Sequence, residues 1–223
     1  NGTVNGDINT ALGLQGNTGG VAAMSCKETF TRLYEFQGDD PFQDSPDSRA
    51  FFLFKDGHSV DIPSPPIGSA FTEGFGYTKF RNVRSDGSGA QDDTFPDVDY
   101  LMFRLADVQL MYAEAHLRGG GGHLSTALEL VNQVRRRAYG DSSGDVATID
   151  LPFILDERGR EFSWEGHRRT DLVRFGRYTG SSYLWDWKGG VQQGTSIQDF
   201  RRIFPLPSGD IVANPNLVQN PGY

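Results

Sequence analysis

Hydrophobic positions in this chain adopt a helical rhythm over one stretch, residues 99–140. Leu101, Leu105, Val108 and Tyr112 recur at the three- and four-residue steps that share a helix face. Ala113 and Ala115 are small positions where a second helix can approach closely. Gly119, Gly120, Gly121 and Gly122 stop this helix. Thr126, with Glu129 three residues on, has the spacing of an N-cap. Leu128, Val131, Val134 and Ala138 then form a second stripe, with Gly140 as its C-cap. Two antiparallel helices of this size make one tetratricopeptide-like unit of about 34 residues. A single hairpin cannot bury its stripe, so stacking neighbours are expected in an N-terminal part outside this chain.

A third helical segment is predicted over residues 150–177. Asp150 caps it, Pro152 sits in its first turn, and Ile154, Leu155 and Phe162 line one side. Gly166 breaks it, and Leu172 and Phe175 belong to the second piece. Residues 25–34 (SCKETFTRLY) predict a short helix capped by Ser25, with Phe30, Leu33 and Tyr34 on one face.

The remainder is punctuated. Prolines and glycines break residues 37–98 into short strands and ordered loops around Phe51-Phe52-Leu53-Phe54, with a hairpin turn expected at Asp56-Gly57. Residues 178–200 read as loops and short strands. In the last stretch, Pro205, Pro207, Pro215 and Pro221 forbid a continuous helix. Ile203, Phe204, Leu206, Ile211, Val212, Leu217, Val218 and Tyr223 nevertheless predict a tail pinned against a core. The fold class is therefore mainly α: tetratricopeptide-like helical hairpins with long ordered loops and a few short strands. Its parts are a loop-rich 1–98, a helix hairpin at 99–140, a helical segment at 150–177, and loops with an extended tail over 178–223.

Charge and cysteine content narrow the possible partners. The net charge is −8, which repels phosphate and disfavours nucleic acid and anionic lipid. The single Cys26 excludes an internal disulfide and a cysteine-rich zinc site, and reads as a small buried thiol at a helix start. No run approaches the roughly 20 apolar residues of a membrane-spanning helix.

Four clusters could carry chemistry. Glu157, Glu161 and Glu165 fall at i, i+4 and i+8, where two carboxylates could serve a glycoside hydrolase. Carboxylates on one helix face point the same way, however, and Arg158, Arg160, Arg168 and Arg169 are interleaved, which favours an ion-pair network. Glu165-Gly-His167 matches no metal-binding spacing, so neither a metal nor a cofactor is expected. Arg135, Arg136 and Arg137 read as a solvated helix end favoured by the dipole. Tyr183, Trp185 and Trp187 alternate, and in a strand would share one face suited to stacking on sugar rings. The same row could instead pack onto the core and anchor a loop. Phe42, Phe75 and Tyr77 are rival aromatic candidates.

Four segments resemble, in order, the SusD/RagB family of outer-membrane nutrient-binding lipoproteins. They are RLADVQLMYAEAHLR (104–118), ALELVNQVRRRA (127–138), ILDERGREFSWEGHRRTDLVRFG (154–176) and IFPLPSGDIVANPNLVQNPGY (203–223). Asp47-Ser-Arg49 stands where the family often has Asp-Pro-Arg. The resemblance implies a non-enzymatic protein on the outer face of the outer membrane. Such a protein binds an oligosaccharide or other nutrient and passes it to a SusC-like TonB-dependent transporter. Membrane attachment would come only through a lipid anchor outside this chain. The resemblance also implies that Glu161, Glu165, His167, Arg168 and Asp171 form a buried scaffold network joining two helices and the tail. Two rivals remain, a glycoside hydrolase using the helix carboxylates and a tetratricopeptide adaptor for a protein segment.

Overall fold

The computed structural model describes residues 26–35, 45–54, 58–63, 73–77, 79, 84, 86–89, 91 and 99–223. Helix α1 is Glu28–Thr31, β1 is Leu53–Phe54 and β2 is Gly76–Tyr77. Then follow α2 (Leu105–Leu117), α3 (Leu124–Tyr139), α4 (Leu151–Glu161), α5 (Arg168–Arg174) and α6 (Ser208–Ala213). The fold is mainly α, with a tetratricopeptide-like hairpin at its centre.

Helices α2 and α3 form that hairpin. Gln109 Nε2 donates to Gln133 Oε1 across the pair at 2.8 Å, a register that requires antiparallel helices. Gly140 ends α3 in the left-handed region (φ 81°), and its N–H reaches Arg136 O at 2.8 Å. The start of α3 differs from expectation. Leu124 opens the helix after His123, which makes no side-chain cap, and Thr126 lies inside the first turn.

The buried face of α2 is also not the predicted one. Leu105 and Val108 are 71% and 57% exposed, and Leu101 and Tyr112 also face outward. The face turned inward carries Ala106, Leu110 and Ala113. Both faces hold apolar residues at helical spacing, so periodicity could not choose between them. Close approach to α3 favoured the face with two alanines. These three residues pack with Ala127, Val131 and Val134 of α3, and with Ile154 and Phe162 of the following segment, as one core.

The side chain of Asp150 caps α4 by accepting from Phe153 N at 2.8 Å, and Pro152 occupies the first turn. Gly166 adopts φ 79°, which lets the chain turn between α4 and α5. A second, smaller cluster joins Cys26, Tyr34, Ala50 and Phe75, with Phe30, Val60 and Trp164 around it. The helix expected over 25–34 shrinks to the four residues of α1, preceded by Lys27, and Ser25 lies outside the described residues. Strand β1 pairs antiparallel with β2, Leu53 opposite Tyr77. The turn expected at Asp56-Gly57 lies outside the described residues. No helix among the described residues is long and apolar enough to cross a membrane.

The C-terminal tail is ordered but not buried. Phe204 and Val212 are 68% and 84% exposed, and α6 interrupts the expected extended course. Prolines remove backbone donors here, and side chains of the tail satisfy much of what remains. Gln219 brackets Leu206, accepting from its N at 2.8 Å and donating to its O at 3.0 Å. Asn220 donates to Phe204 O and Tyr223 to Ile203 O. Arg169 holds the stretch to α5, lying 4.0 Å over the Phe204 ring and donating to Arg202 O at 3.1 Å.

Candidate functional site

One face of α4, continued past its end, organises the scaffold beneath the site. Glu157 is fully buried and answers three guanidiniums. Its Oε1 accepts from Arg49 Nη1 at 2.7 Å, and its Oε2 accepts from Arg135 Nη1 at 2.9 Å and Arg160 Nη2 at 2.6 Å. Glu161 accepts from Arg49 at 3.0 Å and Arg137 at 2.7 Å, and also pairs with Arg104. Glu165 accepts from Arg104 Nε at 2.7 Å and pairs with Lys79. Asp47 completes the cluster by gripping Arg49 at 2.7 Å. Four separate stretches of chain are thereby fastened to one helix face.

Burial opposes ionisation of Glu157, but Arg49, Arg160 and Arg135 outweigh it and hold its carboxyl well below the usual carboxylate range. Glu161 is shifted the same way, burial being overcome by Arg49, Arg137 and Arg104. A glycosidase acid needs the opposite, a carboxyl kept protonated near neutrality. These carboxylates therefore serve cross-linking.

The other expected network residues separate. Asp171 pairs with Arg158 at 3.0 Å and Arg174 at 2.7 Å. Arg168 donates to Leu155 O at 2.8 Å and to the Tyr183 hydroxyl at 2.7 Å. The His167 ring lies 5.0 Å from the Phe162 ring, beside a shallow charged cleft with Arg118, Arg158 and Arg174. The tail is reached by Arg169 rather than by these residues. Arg135 corrects another expectation. It is buried against Glu157 rather than solvated, because the last turn of α3 faces α4. Glu157 joins the ion-pair network that its spacing favoured, whereas Arg49 and Arg104 carried no signal of their central roles beyond Asp47-Ser-Arg49. Among the described residues no group of His, Cys, Asp or Glu is arranged to hold a metal ion.

The aromatic row is not a strand. Residues 181–187 run as bends and turns, and Trp187 adopts φ 63°, a left-handed conformation that bulky residues rarely hold. Its indole Nε1 donates to Ile62 O at 2.8 Å, so Trp187 anchors the loop to the 58–63 segment. Tyr183 and Trp185 are brought together instead, with ring centroids 6.4 Å apart. They line a cleft of about 310 Å³ with Phe30, Trp164 and Leu172, and with Lys27, Thr29, Ser163 and Arg168 as its polar lining. Of the rival aromatics, Phe75 is buried in the smaller core and Phe42 lies outside the described residues.

The cleft is clamped on its α1 side. Asp186 accepts from Thr29 N at 3.0 Å and Thr29 Oγ1 at 2.9 Å, and Lys27 Nζ donates to Asp186 O at 2.8 Å. Cys26 lies at the cleft wall, and burial pushes its thiol up to about 12, so it stays protonated. A cleft lined by aromatic rings and a few polar groups suits one face of a sugar ring, whose edges carry the hydroxyls.

The model of the SusD family matches residues 61–223. Over 155 residues the chain is 44% identical to the starch-binding protein SusD of Bacteroides thetaiotaomicron, covering 70% of this chain and 27% of that protein. It is 36% identical over 137 residues to SusD-like protein P38 of Formosa agariphila, covering 57% of this chain and 25% of that protein. The chain thus spans a minor part of the length of these curated relatives. Among solved structures, surface glycan-binding protein A from Bacteroides uniformis superposes with a TM-score of 0.61 at 23% identity, covering 88% of this chain and 40% of that one. A putative sugar binding protein from Bacteroides vulgatus superposes with a TM-score of 0.55 at 25% identity, over 89% of this chain and 39% of that one.

Proposed function

Because the chain belongs to the SusD family, we propose that it is part of a cell-surface protein that binds an oligosaccharide without cleaving it. The observation that carries this reading is the Tyr183–Trp185 cleft on a scaffold locked by buried ion pairs. Two names among the relatives, a starch-binding protein and a surface glycan-binding protein, support a glycan as ligand. Binding would combine stacking of a sugar face on Trp185 with hydrogen bonds from Lys27, whose ammonium gives one donor to Asp186 O and keeps two. Pre-formed walls spare the ligand the cost of ordering them.

The proposal extends to a SusC-like TonB-dependent transporter that receives the ligand, and to attachment at the outer membrane by a lipid anchor outside this chain. Isothermal titration of the intact protein against a panel of neutral and acidic oligosaccharides tests the first part. Trp185→Ala should weaken binding with little change in melting temperature. A large fall in melting temperature with unchanged binding would instead make Trp185 a core anchor. Recovery of intact glycan after long incubation separates binding from hydrolysis. Co-purification from outer membranes tests the transporter, and a protein segment captured in place of glycan would favour an adaptor.

A further inference from the structure

Lys188 is a buried ammonium. It is 1% exposed, and its Nζ donates to Gly180 O at 2.8 Å and Tyr183 O at 2.7 Å. The same ammonium stands 4.5 Å from the Trp185 ring. No ion pair to Lys188 is formed among the described residues. A buried ammonium needs such compensation, and here backbone carbonyls and an indole face supply it.

The backbone is folded tightly around this charge. Trp187, Gly189 and Gly190 all have positive φ, at 63°, 67° and 82°. A Cβ on Gly194 would meet Trp185 O at 2.5 Å. The loop closes through Gly180 N to Ile197 O and Thr195 N to Lys188 O, both at 2.9 Å. Lys188 does not line the cleft, whereas Tyr183 and Trp185 do. The ammonium and the cleft therefore meet different parts of the same aromatic pair.

We propose that Lys188 is a positioning residue: its ammonium ties the backbone of Tyr183 and the ring of Trp185 to one point, setting the aromatic wall against which a sugar stacks. This rests on the reading of the cleft as the glycan site. The test therefore has one arm that needs no ligand. The intact protein is labelled with 5-fluorotryptophan, which reports three tryptophans, and the signals are assigned by single Trp→Phe variants. Lys188→Met should shift or broaden the Trp185 resonance while leaving Trp164 in place. An unchanged Trp185 resonance overturns the proposal. Lys188→Gln, which keeps a donor for the carbonyls but no charge, replaces it if the Met variant does not fold.

The second arm is a double-mutant cycle with maltoheptaose as probe. Lys188→Met should raise Kd about three- to tenfold with Trp185 present and have no further effect in Trp185→Ala. Additive losses would mean that Lys188 acts on stability rather than through Trp185, and would sink the idea. If Trp185→Ala leaves affinity unchanged, the cleft reading fails and the binding role of Lys188 with it. The fluorine spectrum then still decides whether Lys188 holds the ring.

Discussion

Replacing Glu157 by Ala removes the common acceptor of three buried guanidiniums. Arg49, Arg135 and Arg160 are all nearly inaccessible to water, and each donates to this carboxylate. After the change Arg49 keeps Asp47 and Glu161, and Arg135 keeps Glu35 at 3.6 Å with the Gly144 carbonyl and the Tyr139 hydroxyl, whereas among the described residues Arg160 keeps the Leu33 carbonyl alone. Breaking one buried pair costs about 3–5 kcal/mol, because the remaining charge stays desolvated. Arg160, left with one neutral acceptor, places this case within that range, about 3–5 kcal/mol. In a protein of this size each kcal/mol moves Tm by about 2–4 °C, so Tm should fall by roughly 6–20 °C. Differential scanning calorimetry measures this directly. Glu157→Gln retains the volume and should lose nearly as much, since charge rather than packing is removed. A fall under about 3 °C for both variants would refute the reasoning, because the arginines would then have found water or other acceptors.

Acid should unfold the protein by the same route. The carboxyls of Glu114, Glu157 and Glu161 lie below the usual range in the folded chain, burial being outweighed by their arginines. The unfolded chain therefore binds more protons as pH falls. The stability they confer is present above about pH 5 and lost below it, and Glu157→Gln should flatten the profile of Tm against pH. Cys26, with its thiol pushed up to about 12, should resist iodoacetamide at pH 8 until the chain is denatured, and labelling of the native chain would contradict its burial. Gly166→Ala places a Cβ 2.9 Å from Tyr100 Oη at φ 79° and should cost about 1–2 kcal/mol by chemical denaturation, and an unchanged midpoint would contradict this.

Local rules were legible where a single side chain decides. Asp150 and Pro152 fix the start of α4 through a cap and a missing N–H, Gly140 fixes the end of α3, and Gly166 the left-handed turn before α5. Patterns that need a partner were ambiguous. The outer stripe of α2 matched the helical period as well as the inner one did, and the choice fell to close approach by α3. The aromatic row of 183–187 fitted a strand until Trp187 took a left-handed turn and anchored to Ile62.

The sequence by itself determined the helical class, the breaks between helices and the family resemblance, because periodicity, caps and motifs act over a few residues. Only the tertiary structure decided which carboxylates are buried, which aromatics share a cleft, and that the tail closes on itself. Arg49 meets Glu157 across 108 positions, and Asp186 meets Thr29 across 157. No local pattern encodes such pairings. They follow from burial, since a charge taken from water must find its partner wherever the folded chain supplies one.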